Sequence, residues 1–176
     1  MTEFIEVIKN AASWIWEFDQ VRFTIDALIK LGVTTILSGF IGFEREHSHR
    51  PAGFRTHILV AVGSSLVMLT SVYIFDSQGM TGDVTRMSAQ VLSGIGFLGA
   101  GTILREGFSV KGLTTAASLW AVACIGIAVG AGFYAGALVA TFVIYLTLNS
   151  LKRFIVRGSA GKLLFIEIRD VGTQIP

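Results

Sequence analysis

The residues able to do chemistry fall in four short stretches. The first is the polar loop from Gly42 to Thr56, which holds Glu44, Arg45, Glu46 and Arg55 with His47 and His49 between them. Charges flanked by long apolar runs are expensive unless paired. Two readings follow: an ion-pair network that locks two helices together, or a polar site that responds to a cation. The His-x-His pair beside Glu46 suits a metal ligand set or a pH sensor in residue type, but the loop supplies no further fixed ligands. The second stretch, Asp83 to Gln90, offers Asp83 as a helix cap, Arg86 as its ion-pair partner one turn on, and Gln90 as an amide needing a partner.

The third stretch, Ser93 to Thr102, carries Gly94, Gly96, Gly99 and Gly101. It matches the spacing of a dinucleotide-binding turn, but that turn needs a preceding strand and a βαβ unit. The surroundings are apolar throughout, which excludes it. At 100° per residue the four glycines do not share one helix face. They predict either helices crowding from several sides or a helix that unwinds, freeing carbonyls able to coordinate a cation. The fourth stretch, Gly107 to Trp120, brings Thr114, Thr115 and Ser118 for bonds across helices, and Trp120 for packing over the glycines or the membrane interface.

The elements that must position these groups are apolar helices. The 176 residues have a mean hydropathy of +0.68, with 52% hydrophobic and only 15% charged residues. A soluble domain carries about 25% charged residues, so this chain has too few to cover a water-facing surface. The net charge of +2 and the scattered basic residues exclude nucleic acid as a partner. The single cysteine, Cys124, can form no internal disulfide. There is no Ser-His-Asp arrangement, phosphate-binding loop or CxxC, so an enzyme is not expected.

Crossing the hydrocarbon takes about 20 apolar residues. Ala27–Phe43, Thr56–Phe75 and Met87–Leu104 are three candidates, and the uncharged Gly112–Leu151 is long enough for two, turning near Gly130–Gly136. The expectation is an all-α membrane protein of about five transmembrane helices, the third glycine-rich and a candidate for a break. The basic residues set its orientation. Arg45, Arg50, Arg55, Arg105, Lys111, Lys152, Arg153, Arg157, Lys162 and Arg169 fall on one side; Lys9, Arg22, Lys30 and Arg86 fall on the other. The N-terminus is expected outside and the C-terminus in the cytoplasm.

Three regions follow: 1–26, an aromatic, interfacial lead-in; 27–151, the transmembrane part; and 152–176, a cytoplasmic tail. Within the tail, Lys162–Ile168 has the pattern of a strand; a lone strand is not stable by itself, so the expectation is either disorder or the start of a truncated C-terminal domain. G-x-x-x-G spacings at Gly126–Gly130 and Gly132–Gly136 predict close helix contacts, within one chain or in a homodimer.

Together, Gly42–Glu46, Pro51–His57, Asp83–Arg86, Ser93–Ile103 and Gly112–Trp120 resemble the MgtC/SapB family of bacterial inner-membrane proteins, in order and across residues 27–151. The resemblance implies about five transmembrane helices and a multi-pass protein of the inner membrane. It also implies a link to magnesium limitation, to acid or phosphate stress and, in pathogens, to survival inside host cells. The implied action is modulation of other membrane proteins, including the F-type ATP synthase; the alternative is a magnesium or other cation transporter with its path along the third helix. Carried onto this chain, Glu44, Arg45, Arg55, Asp83, Arg86 and Gln90 are the polar signature, and Gly94, Gly99, Gly101 and Thr115 the packing signature. No cofactor is expected beyond an interaction with Mg2+, and no metal ligand set is assigned. Family members carry a cytoplasmic C-terminal domain that resembles small-ligand-binding domains, and this chain ends near where its first strand would stand.

Overall fold

The computed structural model describes residues 5–6, 19–78 and 82–158. Five helices account for nearly all of them: α1 (Asp19–His47), α2 (Phe54–Gln78), α3 (Arg86–Gly101), α4 (Leu113–Gly130) and α5 (Tyr134–Gly158). Between α3 and α4 stands a hairpin of two three-residue strands, β1 (Leu104–Glu106) and β2 (Ser109–Lys111). Each predicted span is a helix, and the turn predicted near Gly130–Gly136 separates α4 from α5. The chain is an all-α membrane protein.

The spans differ in reach. Val21–His47, Phe54–Asp76 and Leu113–Gly130 are each long and apolar enough to cross a bilayer. The apolar part of α5, Tyr134–Asn149, is shorter, and α3 has only 16 residues. Helix α1 begins at Asp19, ahead of the expected boundary at 26, so the end of the lead-in is continuous with the first span. The aromatic residues Trp14, Trp16 and Phe18, and the strand expected at Lys162–Ile168, lie outside the described residues.

Helix α4 is the axis of the fold. It packs against all four of the others, while α3 and α5 make at most slight contact with each other. Its core residues Leu119, Val122, Ala123, Ile125 and Val129 are buried, alongside Leu37 and Ile41 of α1 and Ala61 of α2. Glycine explains the closeness of α2 and α4. A Cβ on Gly126 would fall inside the carbonyl oxygen of Ala61, and one on Gly130 would lie 2.8 Å from the Ser65 oxygen. The first G-x-x-x-G spacing is thus a seam inside one chain.

The hydroxyls buried in this apolar bundle satisfy themselves. Ser38 donates to the Thr34 carbonyl at 2.7 Å, Ser64 to Val60 at 2.7 Å and Thr141 to Ala137 at 2.7 Å. Such bonds to the carbonyl one turn back keep polar atoms from facing hydrocarbon unpaired. Lys30, within the first span, pairs with Asp26 one turn earlier at 2.6 Å. The glycine-rich segment does not unwind: α3 is one continuous helix through Gly94, Gly96 and Gly99 to Gly101. The carbonyls in its middle are therefore engaged in the helix, and at its C-terminal end those of Gly99 and Ala100 accept from the Thr102 and Ile103 amides.

Candidate functional site

The polar site forms where the C-terminal end of α1, the N-terminal end of α2 and the first turns of α4 meet. Gly42 makes the meeting possible. A Cβ there would lie 2.9 Å from the Phe54 Cα and 3.0 Å from the His57 Cβ, so glycine lets α2 start directly against α1. One turn further along α1, Arg45 is 2% exposed and Glu44 9%. Burial this deep for a guanidinium demands partners.

Arg45 Nη2 donates to Thr115 Oγ1 at 3.1 Å, and Arg45 Nη1 lies 3.9 Å from Glu44 Oε2. The remaining donor, Arg45 Nε, is buried without a hydrogen bond. Glu44 Oε1 accepts from the Ser48 hydroxyl at 2.8 Å. Glu46 caps the next helix: its Oε2 accepts from the Phe54 amide at 2.8 Å, at the start of a helix with no acid in its own first turn. Hydrogen bonds join the helices here, Arg45 to Thr115 and the Phe54 amide to Glu46; the ion pair of this region, Glu44 with Arg45, lies within α1 and does not link α1 to α2.

His57 completes the cluster. It is fully buried, with Nδ1 2.8 Å from the Gly53 carbonyl oxygen and Nε2 3.0 Å from Ser118 Oγ. A carbonyl only accepts, so Nδ1 carries a proton in either charge state. In the neutral ring Nε2 is then an acceptor, and the Ser118 hydroxyl donates to it. In the charged ring Nε2 donates to Ser118 Oγ, whose proton turns to the Thr115 carbonyl 2.8 Å away. Both states are fully bonded, and the serine rotor is what changes between them. Sequence reasoning quoted His57 only as the end of a motif. The signal available was its place one turn inside an apolar helix, where a polar ring must find a partner.

The other expected site residues are elsewhere. Arg55 is exposed at the start of α2, and His47 and His49 are exposed in the loop, His47 stacked on Phe43. No group of three or more His, Cys, Asp or Glu able to hold a metal exists among the described residues. Asp83, Arg86 and Gln90 are exposed at the N-terminal end of α3, the opposite end of the bundle from Arg45. Asp83 is not the cap of α3, whose N-cap is Thr85 with no side-chain cap bond; its Oδ1 accepts from the Thr85 amide at 2.8 Å and the Thr85 hydroxyl at 2.6 Å, in a turn just ahead of the helix. These bonds hold its carboxyl below the ordinary aspartate range. It forms no ion pair with Arg86; the contact between the two residues is a backbone bond, Arg86 N to the Asp83 oxygen at 3.3 Å.

The glycines of α3 divide unequally. Gly99 packs on Ala116 of α4, where a Cβ would sit 3.4 Å from the alanine Cβ. Gly94, Gly96 and Gly101 face open space. With Ala89, Ser93 and Ala100 they give α3 an exposed outer surface of small residues, with Gln90 at one end and Phe97 82% exposed in the middle. Trp120 is half exposed on α4 and lines an apolar groove of about 300 Å3 with Cys124, Phe133 and Ala140.

The arrangement of Gly42-Glu44-Arg45, His57 and Thr115-Ser118 spans the stretch over which comparison with known proteins is decisive. The family model described as "MgtC family" matches residues 31–157. This chain belongs to the MgtC family. It is 50% identical over 123 residues to Protein MgtC of Brucella suis biovar 1, covering 69% of this chain and 49% of that protein. It is 43% identical over 117 residues to the Putative magnesium transporter YhiD of Escherichia coli (strain K12), covering 63% and 54%. It is 40% identical over 149 residues to Protein SapB of Bacillus subtilis, covering 82% and 64%. The chain therefore spans about half to just under two thirds of the length of these MgtC-family relatives. No solved structure matches it.

Proposed function

We propose that this MgtC-family chain is a multi-pass protein of the bacterial inner membrane, its basic end toward the cytoplasm, that acts by binding and modulating other membrane proteins. The F-type ATP synthase is the partner class the family resemblance favours. Magnesium limitation and acid or phosphate stress are the conditions in which it would act, and survival inside host cells the setting in pathogens. One observation carries the reading. The side of α4 between α3 and α5 is left open to lipid, with the Trp120–Ala140 groove on it. The small outer residues of α3 are likewise uncovered. Small residues let another helix approach closely, which is how helices associate in lipid. The polar residues, by contrast, are split between the two ends of the bundle, and α3 is unbroken, so neither supports a cation path through a single chain.

The test has two arms. A photo-crosslinker placed at Ala121 or Ala140 in native membranes is expected to capture a subunit of another membrane complex. Purified protein in liposomes is expected to move neither magnesium nor protons. The name of the Escherichia coli relative supplies the rival, a magnesium transporter. Magnesium flux lost on Glu44→Ala would replace the regulatory reading with that one.

A further inference from the structure

Among the described residues the β1–β2 hairpin is the one element outside the helical bundle, and helix length fixes where it must lie. At 1.5 Å per residue, the 16 residues of α3 span about 24 Å. The hydrocarbon layer is about 30 Å thick. With Arg86 at one surface, α3 therefore stops about 6 Å short of the other. The chain completes the crossing through Ile103 and Leu104, both exposed and apolar.

The hairpin is short and tied at both ends. Three residues per strand reach about 10 Å, and Leu113 begins the next span right after Gly112. With Ile103 and Leu104 making up the shortfall, Arg105 and Glu106 carry the tip about 7 Å beyond the hydrocarbon, at the outer edge of a headgroup layer about 5–7 Å deep. At that tip Gly107, at φ 62°, supplies the left-handed turn of a two-residue loop. Phe108 beside it is fully exposed.

The composition suits that depth. Leu104 pairs with Lys111, Arg105 with Val110 and Glu106 with Ser109, so the apolar and basic residues are divided between the two faces and the hairpin carries a net charge of +1. Leu104, Arg105, Val110 and Lys111 are exposed. A surface made to dock on one protein partner would collect its apolar groups on a single face; mixing on both faces suits an element surrounded by the interface. Arg50 and Arg55 are exposed at the same end of the bundle, adding positive charge where anionic headgroups would sit.

We infer that the hairpin is an interfacial anchor: Phe108 enters the headgroup layer of an anionic leaflet, and Arg105 and Lys111 bind its headgroup phosphates. It fixes the depth of the short helix α3, which the lipid would otherwise have to thin to accommodate.

The test uses the full chain with Cys124→Ala and Phe108→Cys, spin-labelled at position 108, in vesicles of phosphatidylcholine alone or with phosphatidylglycerol. In the anionic vesicles the label is expected to collide with oxygen more than with a water-soluble nickel chelate. Arg105→Gln with Lys111→Gln is expected to shift it toward the chelate, and only there. A Phe108→Trp variant, read against the unsubstituted chain, is expected to be quenched by lipids brominated near the headgroup. A label fully open to the chelate in both vesicle types overturns the anchor. So does immersion that ignores headgroup charge, or one that needs another membrane protein to be present.

Discussion

Arg45 of α1 and Thr115 of α4 stand 70 positions apart in sequence and share a buried hydrogen bond of 3.1 Å. The bond ties the C-terminal end of the first span to the first turn of the central helix. It is the best-placed partner of a guanidinium that is 2% exposed and whose Nε has none. Thr115→Val keeps the shape and removes the acceptor, leaving more of a buried charge unpaired. The expected cost is about 1–3 kcal/mol, with Thr115→Ser close to the parent. Unfolding in mixed micelles measures both, and equal stability of the valine and serine variants would dismiss the bond as a support.

His57 and Ser118 are coupled through one hydrogen bond of 3.0 Å. Interhelical bonds of this kind in membranes average about 0.6 kcal/mol and reach about 1.7 kcal/mol. A double-mutant cycle of His57→Phe and Ser118→Ala is expected to give a coupling energy in that range, toward its upper end because both groups are buried. Additive losses would mean that the ring is held by Gly53 alone.

These two bonds show how far the sequence could be followed. Apolar run length located all five helices, because the hydrocarbon thickness imposes a length that needs no tertiary knowledge. Glu44, Arg45 and Thr115 were marked as notable residues, but nothing in their spacing said that Arg45 would choose Thr115. That choice depends on how α2 holds α1 and α4 on either side of it, which Gly42 against Phe54 and Gly126 against Ala61 set through contacts invisible in one dimension. His47 and His49 form a His-x-His pair beside Glu46 in the sequence, yet both are exposed, while the buried His57 has no such neighbours to mark it. The hairpin was missed for a different reason: Leu104–Lys111 is too short and too mixed for an alternating pattern to stand out.

The glycines offer a sharp contrast. Gly126→Ala drives a methyl group into the Ala61 carbonyl and must push α2 and α4 apart. Overpacking of this kind costs about 1–3 kcal/mol. Gly96→Ala meets open space and is expected to leave folding unchanged. If the outer surface of α3 receives a partner helix, Gly96→Leu will fold normally and lose crosslinking to that partner. A Gly96→Leu protein that crosslinks as the parent does would move the docking surface away from α3.

Asp83 gives the pH dependence with its sign. Hydrogen bonds from the Thr85 hydroxyl and amide, in that order, lower its pKa from the ordinary 3.8. A depressed folded-state pKa means that the ionised carboxylate favours the folded state above about pH 4 and that this support is lost as pH falls through the lower, folded value. Asp83→Asn removes the titration and weakens the acceptor. The melting temperature of the variant is therefore expected to lie below the parent at pH 7, by a small margin because the site is fully exposed. The gap should stay constant down to about pH 4 and close below it. Thr85→Ala, which removes the hydroxyl donor at 2.6 Å, should raise the pH at which the parent-like carboxylate stops contributing. A gap that closes between pH 5 and 7 instead would show that ionised Asp83, held by Thr85, is not the source of the difference.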